Sequence, residues 1–206
     1  MHLIVTTSAD SILVAGMNEA IPMAQYFLIC RELGEVPEWP GNLRNYHRLE
    51  DQCYAPSIAD LIVWATINDH CRDEAFNHTN GDVILFKFLW AHIAKYFNME
   101  VPSFSSQLDE EKAQINLGEW AKDKKEVWEK IVRKYGGNVD CFQVDSFAFL
   151  DWGLNPSVSI TTPFMSTARK ARKYGWNRHD DSYDAWYQTF RSYENAGILP
   201  KAHCFQ

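Results

Sequence analysis

Residues 74–97 read EAFNHTNGDVILFKFLWAHIAKYF, and this stretch decides the fold. Ala75, Phe76 and Asn77 form a candidate strand. Thr79 to Asp82 is a turn with a helix cap built in, because Asn, Gly and Asp favour tight backbone bends and their side chains satisfy free N–H groups. A helix over 83–97 follows. Phe86, Trp90, Ile93 and Phe97 fall at steps of four, three and four, which makes one apolar face.

The pattern continues outward in both directions. Upstream, His2 to Thr6 reads as a short strand, and Met17 to Leu33 as a helix with Pro22 near its start and Gly34 at its end. Glu35 to Asn45 holds Pro37, Pro40 and Gly41 and reads as loop. Pro56 and Ser57 open a helix with Ile58, Leu61, Ile62 and Ala65 on one face. Downstream, Val101 to Ser106 is a linker. Asp109 to Tyr135 reads as one charged helix that buries Trp120, Val127, Ile131 and Tyr135 and stops at Gly136 and Gly137. Residues 142–154 are aromatic-rich and ambiguous. A helix over 165–174 ends at Gly175. The last helix starts after Asp180, Asp181 and Ser182, buries Tyr183, Trp186, Tyr187, Phe190 and Tyr193, and closes at Gly197. The expectation is a single domain over 1–206, predominantly helical, with too few strands for an α/β protein of this length.

Composition fits a folded chain. Of 206 residues, 46% are apolar and 14% aromatic, which excludes disorder. With Gly 10 and Pro 8, collagen-like and low-complexity classes are excluded too. The charge balance, 20 − 27 = −7, argues against a nucleic-acid partner, which demands a basic surface. No apolar run reaches the ~20 residues of a membrane span. The first residues lack a basic segment followed by an apolar stretch and a cleavage site. A cytoplasmic protein without a membrane partner is expected. Cys30, Cys53, Cys71, Cys141 and Cys204 are scattered, with no two-residue spacing of a zinc or redox site, and read as reduced, mostly buried thiols.

Several chemical signatures are missing from the sequence. No glycine set has G-x-G-x-x-G spacing, no Tyr precedes a Lys by four residues, and there is no G-x-S-x-G elbow or P-loop. No His pair has the three- or four-residue gap of a helical zinc motif. Neither a nicotinamide cofactor nor a metal is expected from these residues.

From about Met17 onward the chain resembles the C-terminal half of the progesterone 5β-reductase / iridoid synthase (PRISE) family of extended short-chain dehydrogenase/reductases, and is most similar to its fungal members. The resemblance rests on several stretches: Glu74 to Asp82 with the helix carrying Lys87, Leu89, Trp90, Ile93, Ala94, Tyr96 and Phe97; Val127 to Val132; Phe149 to Asp151; Ala168 to Lys170 with Tyr174 to Trp176; and Asp181 to Trp186 running on to Pro200. The order and spacing match over most of the chain. In that family a Rossmann half comes first, with a glycine-rich turn and catalytic Tyr and Lys, and this chain has no positions matching them. The resemblance therefore implies a fold that is α/β by descent: a truncated extended short-chain dehydrogenase/reductase lacking the N-terminal Rossmann half, with a few residual short strands. It also implies an apolar substrate pocket at the positions of Met17, Asn18 and Phe149.

Candidate site residues fall in three groups. Phe147, Phe149 and Trp152 could wall a hydrophobic ligand pocket or simply pack the core. Tyr46, His47, Glu50, Asp51 and Tyr54 form the densest titratable cluster. His47, Asp51 and Tyr54 are its acid–base candidates and Tyr46 its substrate contact, while the same residues also read as a polar loop face. A third set, Arg169, Lys170, Arg172, Lys173 and Arg178, is a basic patch, which reads as a solvated helix face, with anion binding as the alternative. The function expected is cofactor-independent isomerisation or cyclisation of a hydrophobic specialised metabolite by a homodimer. The alternatives are a fragment of an NAD(P)H-dependent enone or carbonyl reductase whose Rossmann half is encoded elsewhere, and a non-catalytic binding or dimerisation module.

Overall fold

The computed structural model describes residues 4–5, 19–103, 106–155 and 165–202. The described chain is predominantly helical, with four strands of two residues each. In chain order the elements are β1 (Ile4–Val5), α1 (Ala20–Leu33), α2 (Leu43–Tyr46), β2 (Leu49–Glu50), α3 (Ala55–Ile67), β3 (Phe76–Asn77), β4 (Ile84–Leu85), α4 (Phe86–Tyr96), α5 (Leu117–Ala121), α6 (Lys125–Tyr135), α7 (Val144–Leu154), α8 (Arg169–Lys173) and α9 (Ser182–Asn195). β1 pairs parallel with β3, Ile4 opposite Phe76. β2 pairs antiparallel with β4, Leu49 opposite Leu85. Among the described residues, no helix is long and apolar enough to cross a membrane.

Helix α1 is the hub. Every residue from Ala20 to Cys30 is buried, Gln25 included. A helix buried all round must be covered on several sides, and α6, α7 and α9 pack against it. Gly34, at φ 69°, takes the left-handed position that ends it. Around α1 lies a mesh of aromatic rings. Trp90 of α4 sits 4.7 Å from Phe27 and 5.2 Å from Trp39. Phe97 stacks on Phe27 at 5.7 Å and meets Phe190 of α9 at 5.1 Å. The four expected positions of the α4 stripe, Phe86, Trp90, Ile93 and Phe97, are all buried.

A second, smaller apolar cluster joins Leu61 and Ala65 of α3 to Cys71, Phe76, Ala171 and Trp176. Here the structure corrects one expectation. Ile58, Leu61 and Ala65 face inward, but Ile62 does not: it is 45% exposed, beside Val63 at 59% and Ile67 at 75%.

Other boundaries move for local reasons. The helix expected over 109–135 is two helices. The Asp109 carboxylate accepts the backbone N–H of Glu111 and of Lys112, forming a turn. The Asn116 side chain then caps α5 by accepting the Glu119 N–H at 2.9 Å. Short polar side chains compete with helix in this way. Within α6 the fully buried ring is Trp128, whose Nε1 donates to the Asn138 carbonyl at 3.1 Å. The ambiguous 142–154 stretch is α7. A one-turn helix, α2, interrupts the expected loop because Asn42 caps it.

The helix cap expected at Asp82 serves another helix. The Asp82 carboxylate accepts the Ser182 N–H at 2.9 Å and its hydroxyl at 2.5 Å, at the start of α9. Asp181 caps that same helix, as its position in sequence implies, by accepting the Tyr183 and Asp184 N–H groups. Of the thiols, Cys30, Cys71 and Cys141 are free and buried and Cys53 is half-buried, while Cys204 lies outside the described residues.

Candidate functional site

The polar run after β3 builds one wall of a cleft. His78, Thr79 and Asn80 are buried. Asn80 ties three segments together. Its side-chain oxygen accepts the Tyr54 N–H at 2.7 Å, its amide donates to the Ser182 hydroxyl at 3.0 Å, and its backbone N–H donates to the Gln52 carbonyl at 2.8 Å. His78 shares a 2.8 Å hydrogen bond with the Ser57 hydroxyl, and burial lowers its basicity. This network fixes the N-termini of α3 and α9 relative to β3, and within it His78 Nδ1 has no hydrogen-bond partner among the described residues.

The cleft, about 590 Å³, lies beside that network. Asp51, Thr79, Gly81, Asp82 and Val83 form one side, and Met165 to Arg169, Arg172 and Lys173 the other. Asp51 bridges the two sides: its carboxylate accepts the Ser166 N–H at 2.9 Å, from a residue 115 positions away. A neighbouring cavity of about 420 Å³, lined by Ala75 and Asn77, shares Thr167, Arg169 and Lys173 with it.

A half-buried charge cluster adjoins this region through the chain, since Glu50 precedes Asp51. Glu50 pairs with Arg48. Arg48 also donates to the Gly153 carbonyl at 3.0 Å and to the Asn45 side chain at 3.3 Å, and lies 5.5 Å from the centre of the Phe86 ring. Glu19, at the start of α1, faces the pair. Burial, then the Glu50 charge, push its carboxyl up to about 7, against the pull of Arg48. Burial raises Glu50 as well, with Arg48 opposing. A Cβ at Gly153 would sit 2.8 Å from the Glu19 carboxyl, so glycine leaves the space for it.

The sequence-predicted residues are distributed over several surroundings. Asp51 lines the cleft. His47 is exposed at the end of α2, its ring edge-on to Tyr46 at 5.4 Å. The Tyr54 hydroxyl donates to the Gln188 side chain at 2.9 Å. Tyr46 is buried against Trp39 at 5.6 Å. Phe147 is fully buried, 5.2 Å from Phe142 and 5.8 Å from Trp120. Phe149 stacks with Trp152 at 5.8 Å, and Trp152 is 64% exposed. Met17 and Asn18 lie outside the described residues. The structure thus brings Asp51 to a cleft and leaves His47, Tyr54, Phe147 and Phe149 outside its lining. Arg169, Arg172 and Lys173, exposed as the reading of a solvated helix face expects, also line the cleft, and their clustering in the sequence was the available signal.

A dinucleotide needs glycines that let backbone approach its pyrophosphate. Gly81 does not meet that need. A Cβ on Gly81, at φ 102°, would meet His179 Nδ1 at 2.5 Å and Arg172 Nη2 at 2.6 Å, so its open side is filled by side chains. Gly34 and Gly136 cap helices.

No family model matches the chain. Individual proteins do. A short chain dehydrogenase of Penicillium aethiopicum is 35% identical over 194 residues, covering 90% of this chain and 50% of that protein. An uncharacterized protein of Schizosaccharomyces pombe is 30% identical over 217 residues, with 90% and 53% covered. An (S)-8-oxocitronellyl enol synthase of Nepeta cataria is 28% identical over 187 residues, with 90% and 45% covered. The chain spans about half the length of the curated relatives it matches. Along nine-tenths of its length the chain is homologous to these proteins: it is a short-chain-dehydrogenase/reductase-like chain, similar to iridoid-synthase-like proteins, that matches about half of each relative.

Proposed function

We propose that this chain acts on a small, largely apolar carbonyl compound by moving protons, as a cofactor-independent isomerase or cyclase. The observation that carries the reading is Asp51, a carboxylate at the wall of a cleft of about 590 Å³. Val83 and Met165 line the same cleft and are large apolar side chains left exposed, which suits an apolar substrate. Relatives named as enol synthases point to the same chemistry, because an enol forms and collapses by proton transfer. In the proposed step the Asp51 carboxylate takes a proton from the carbon next to the carbonyl. The C–H electron pair becomes the enolate C=C, and the proton returns at another carbon.

The test is deuterium exchange of an enolisable unsaturated aldehyde in D₂O, followed by NMR, with no nicotinamide added. The purified chain is expected to accelerate exchange, and Asp51→Asn to lose at least ~100-fold of that rate, the low end of what general bases contribute. Exchange no faster than buffer would overturn the reading.

One observation favours a second reading, in which the chain docks on a nucleotide-binding half to form an NAD(P)H-dependent reductase. Parallel strands are ordinarily covered on both faces, yet β1 and β3 form a ladder of two residue pairs beside α3, whose Ile62, Val63 and Ile67 are exposed. Under the first reading a second copy of the chain covers that face. Sedimentation separates the two: the purified chain is expected to be a homodimer, converted to monomer by Ile67→Asp, whereas a monomeric wild-type chain that exchanges no deuterium supports the reductase half.

A further inference from the structure

Helix α8 carries four cations in its five residues, Arg169, Lys170, Arg172 and Lys173, in a chain of net charge −7. Like charges spaced three and four apart on a helix repel, so local structure gains nothing from this arrangement. Two of the four are engaged. Lys170 pairs with Glu74 at 2.6 Å, and the Tyr174 hydroxyl donates to that same carboxylate. Arg172 shares a 3.3 Å hydrogen bond with His179 Nδ1, packed where Gly81 leaves room. Among the described residues, Arg169 and Lys173 make no ion pair. They stand four residues apart, one turn of helix, and both line the wall shared by the two cavities. Thr167, on the same wall, accepts the Arg169 N–H with its hydroxyl oxygen at 3.2 Å and keeps its own O–H to donate. Both acids of the larger cleft accept hydrogen bonds, Asp51 from the Ser166 N–H and Asp82 from Ser182, and the smaller cavity has no carboxylate in its lining.

We propose that Arg169, Lys173 and Thr167 form a binding site for a phosphate group, with Arg172 adding charge from one side. A phosphate carries close to two negative charges at neutral pH and three acceptor oxygens. The site offers two cations with no ion pair among the described residues, one of them a guanidinium fork that matches phosphate oxygens in pairs, and a hydroxyl donor. A polynucleotide fits poorly, since the surrounding chain is acidic and the cations cover a single helical turn. The phosphate is either free inorganic phosphate or the head of a phosphomonoester whose apolar part extends along Val83 and Met165. The site stands on the cleft and its cations alone, and its test reads binding without turnover. Absence of deuterium exchange would therefore remove the acid–base reading and leave this one intact.

The experiment is calorimetric titration of the purified chain at low salt, where charge interactions reach farthest. The probes are inorganic phosphate and hexyl phosphate. Binding of both is expected, with at least ~10-fold weaker affinity in R169Q/K173Q. The control K112Q/K122Q changes net charge by the same amount on the exposed surface and is expected to bind as the wild type does. Hexyl phosphate binding clearly more tightly than phosphate supports the site as that of a phosphorylated apolar substrate. Equal affinities support it as a site for free phosphate. No binding by the wild-type chain, or equal weakening in the two double variants, overturns the proposal.

Discussion

Trp90→Ala is expected to cost about 3–5 kcal/mol of folding stability, the range for removing a buried aromatic side chain. Trp90 is 1% exposed. Its ring touches those of Tyr26, Phe27 and Trp39, with centroids 5.9, 4.7 and 5.2 Å away. The three neighbours sit on α1 and on the loop before α2, so the cavity would open where two segments of different origin meet. Rigid rings on three sides cannot collapse into that space, which puts the cost at the upper end. The indole N–H also donates to the Pro37 carbonyl at 2.9 Å, and its removal strips a buried acceptor of its partner. Folded domains hold only about 5–15 kcal/mol in reserve, so the variant should unfold at much lower urea. Phe88→Ala is the matched control: same helix, same kind of side chain, but exposed. It should stay within about 0.5 kcal/mol of the wild type. Equal midpoints for the two variants in urea titrations would show that the aromatic mesh is not what holds α4 in place.

The α4 core was legible in sequence because its stripe has helical period and one face of the helix is buried. α9 was legible for a different reason: Asp181 makes its capping bonds within three residues of itself, so the signal is local. Helix α1 shows the limit of periodicity. A helix covered on all sides has no polar face, and only its length and the closing Gly34 identified it. The break between Asp109 and Asn116 was lost because side chain-to-backbone bonds compete with helix at a cost too small to show in a charge pattern. Ile62 was misplaced because sequence can say that α3 is apolar but not how wide its covered face is.

The site was only partly legible. Asp51 was named as one member of a titratable cluster, yet what sets it apart from His47 is a contact with Ser166 across 115 residues. No spacing rule reports such a contact. The basic run of α8 was visible but read as solvated, because its relation to a cleft exists only once β3 and α8 pack together. Glu19 was not singled out. A carboxylate at the start of a helix looks like a favourable cap, and nothing nearby in sequence reveals that Glu50 and Arg48 fold onto it.

Glu19 should make the stability of this chain depend on pH, and Glu19→Gln should remove much of that dependence. Glu19 occupies the N-cap of α1 but makes no capping hydrogen bond with its side chain. The helix dipole favours its ionised form by ~0.3–1 kcal/mol. Burial and the Glu50 charge act the other way and prevail, lifting the carboxyl from 4.5 to about 7. In the unfolded chain it returns to its ordinary value. Between those two pH values the folded chain therefore holds one proton more than the unfolded chain, and stability falls as pH rises through that window. The difference in pKa corresponds to about 3 kcal/mol, lost by pH 8 and fully retained near pH 4. Glu50 and Asp151 are raised by burial too and add to the trend. Arg48 opposes it at Glu19 and at Glu50, which is why both carboxyls can still ionise. Glutamine keeps the shape and carries no charge. Urea unfolding followed by tryptophan fluorescence at pH 5, 6, 7 and 8 should show Glu19→Gln more stable than wild type at pH 8, by about 1–3 kcal/mol, with the two converging toward pH 5. Parallel curves for the two proteins would mean that Glu19 is ionised throughout, and that the Arg48 guanidinium, rather than burial, decides its state.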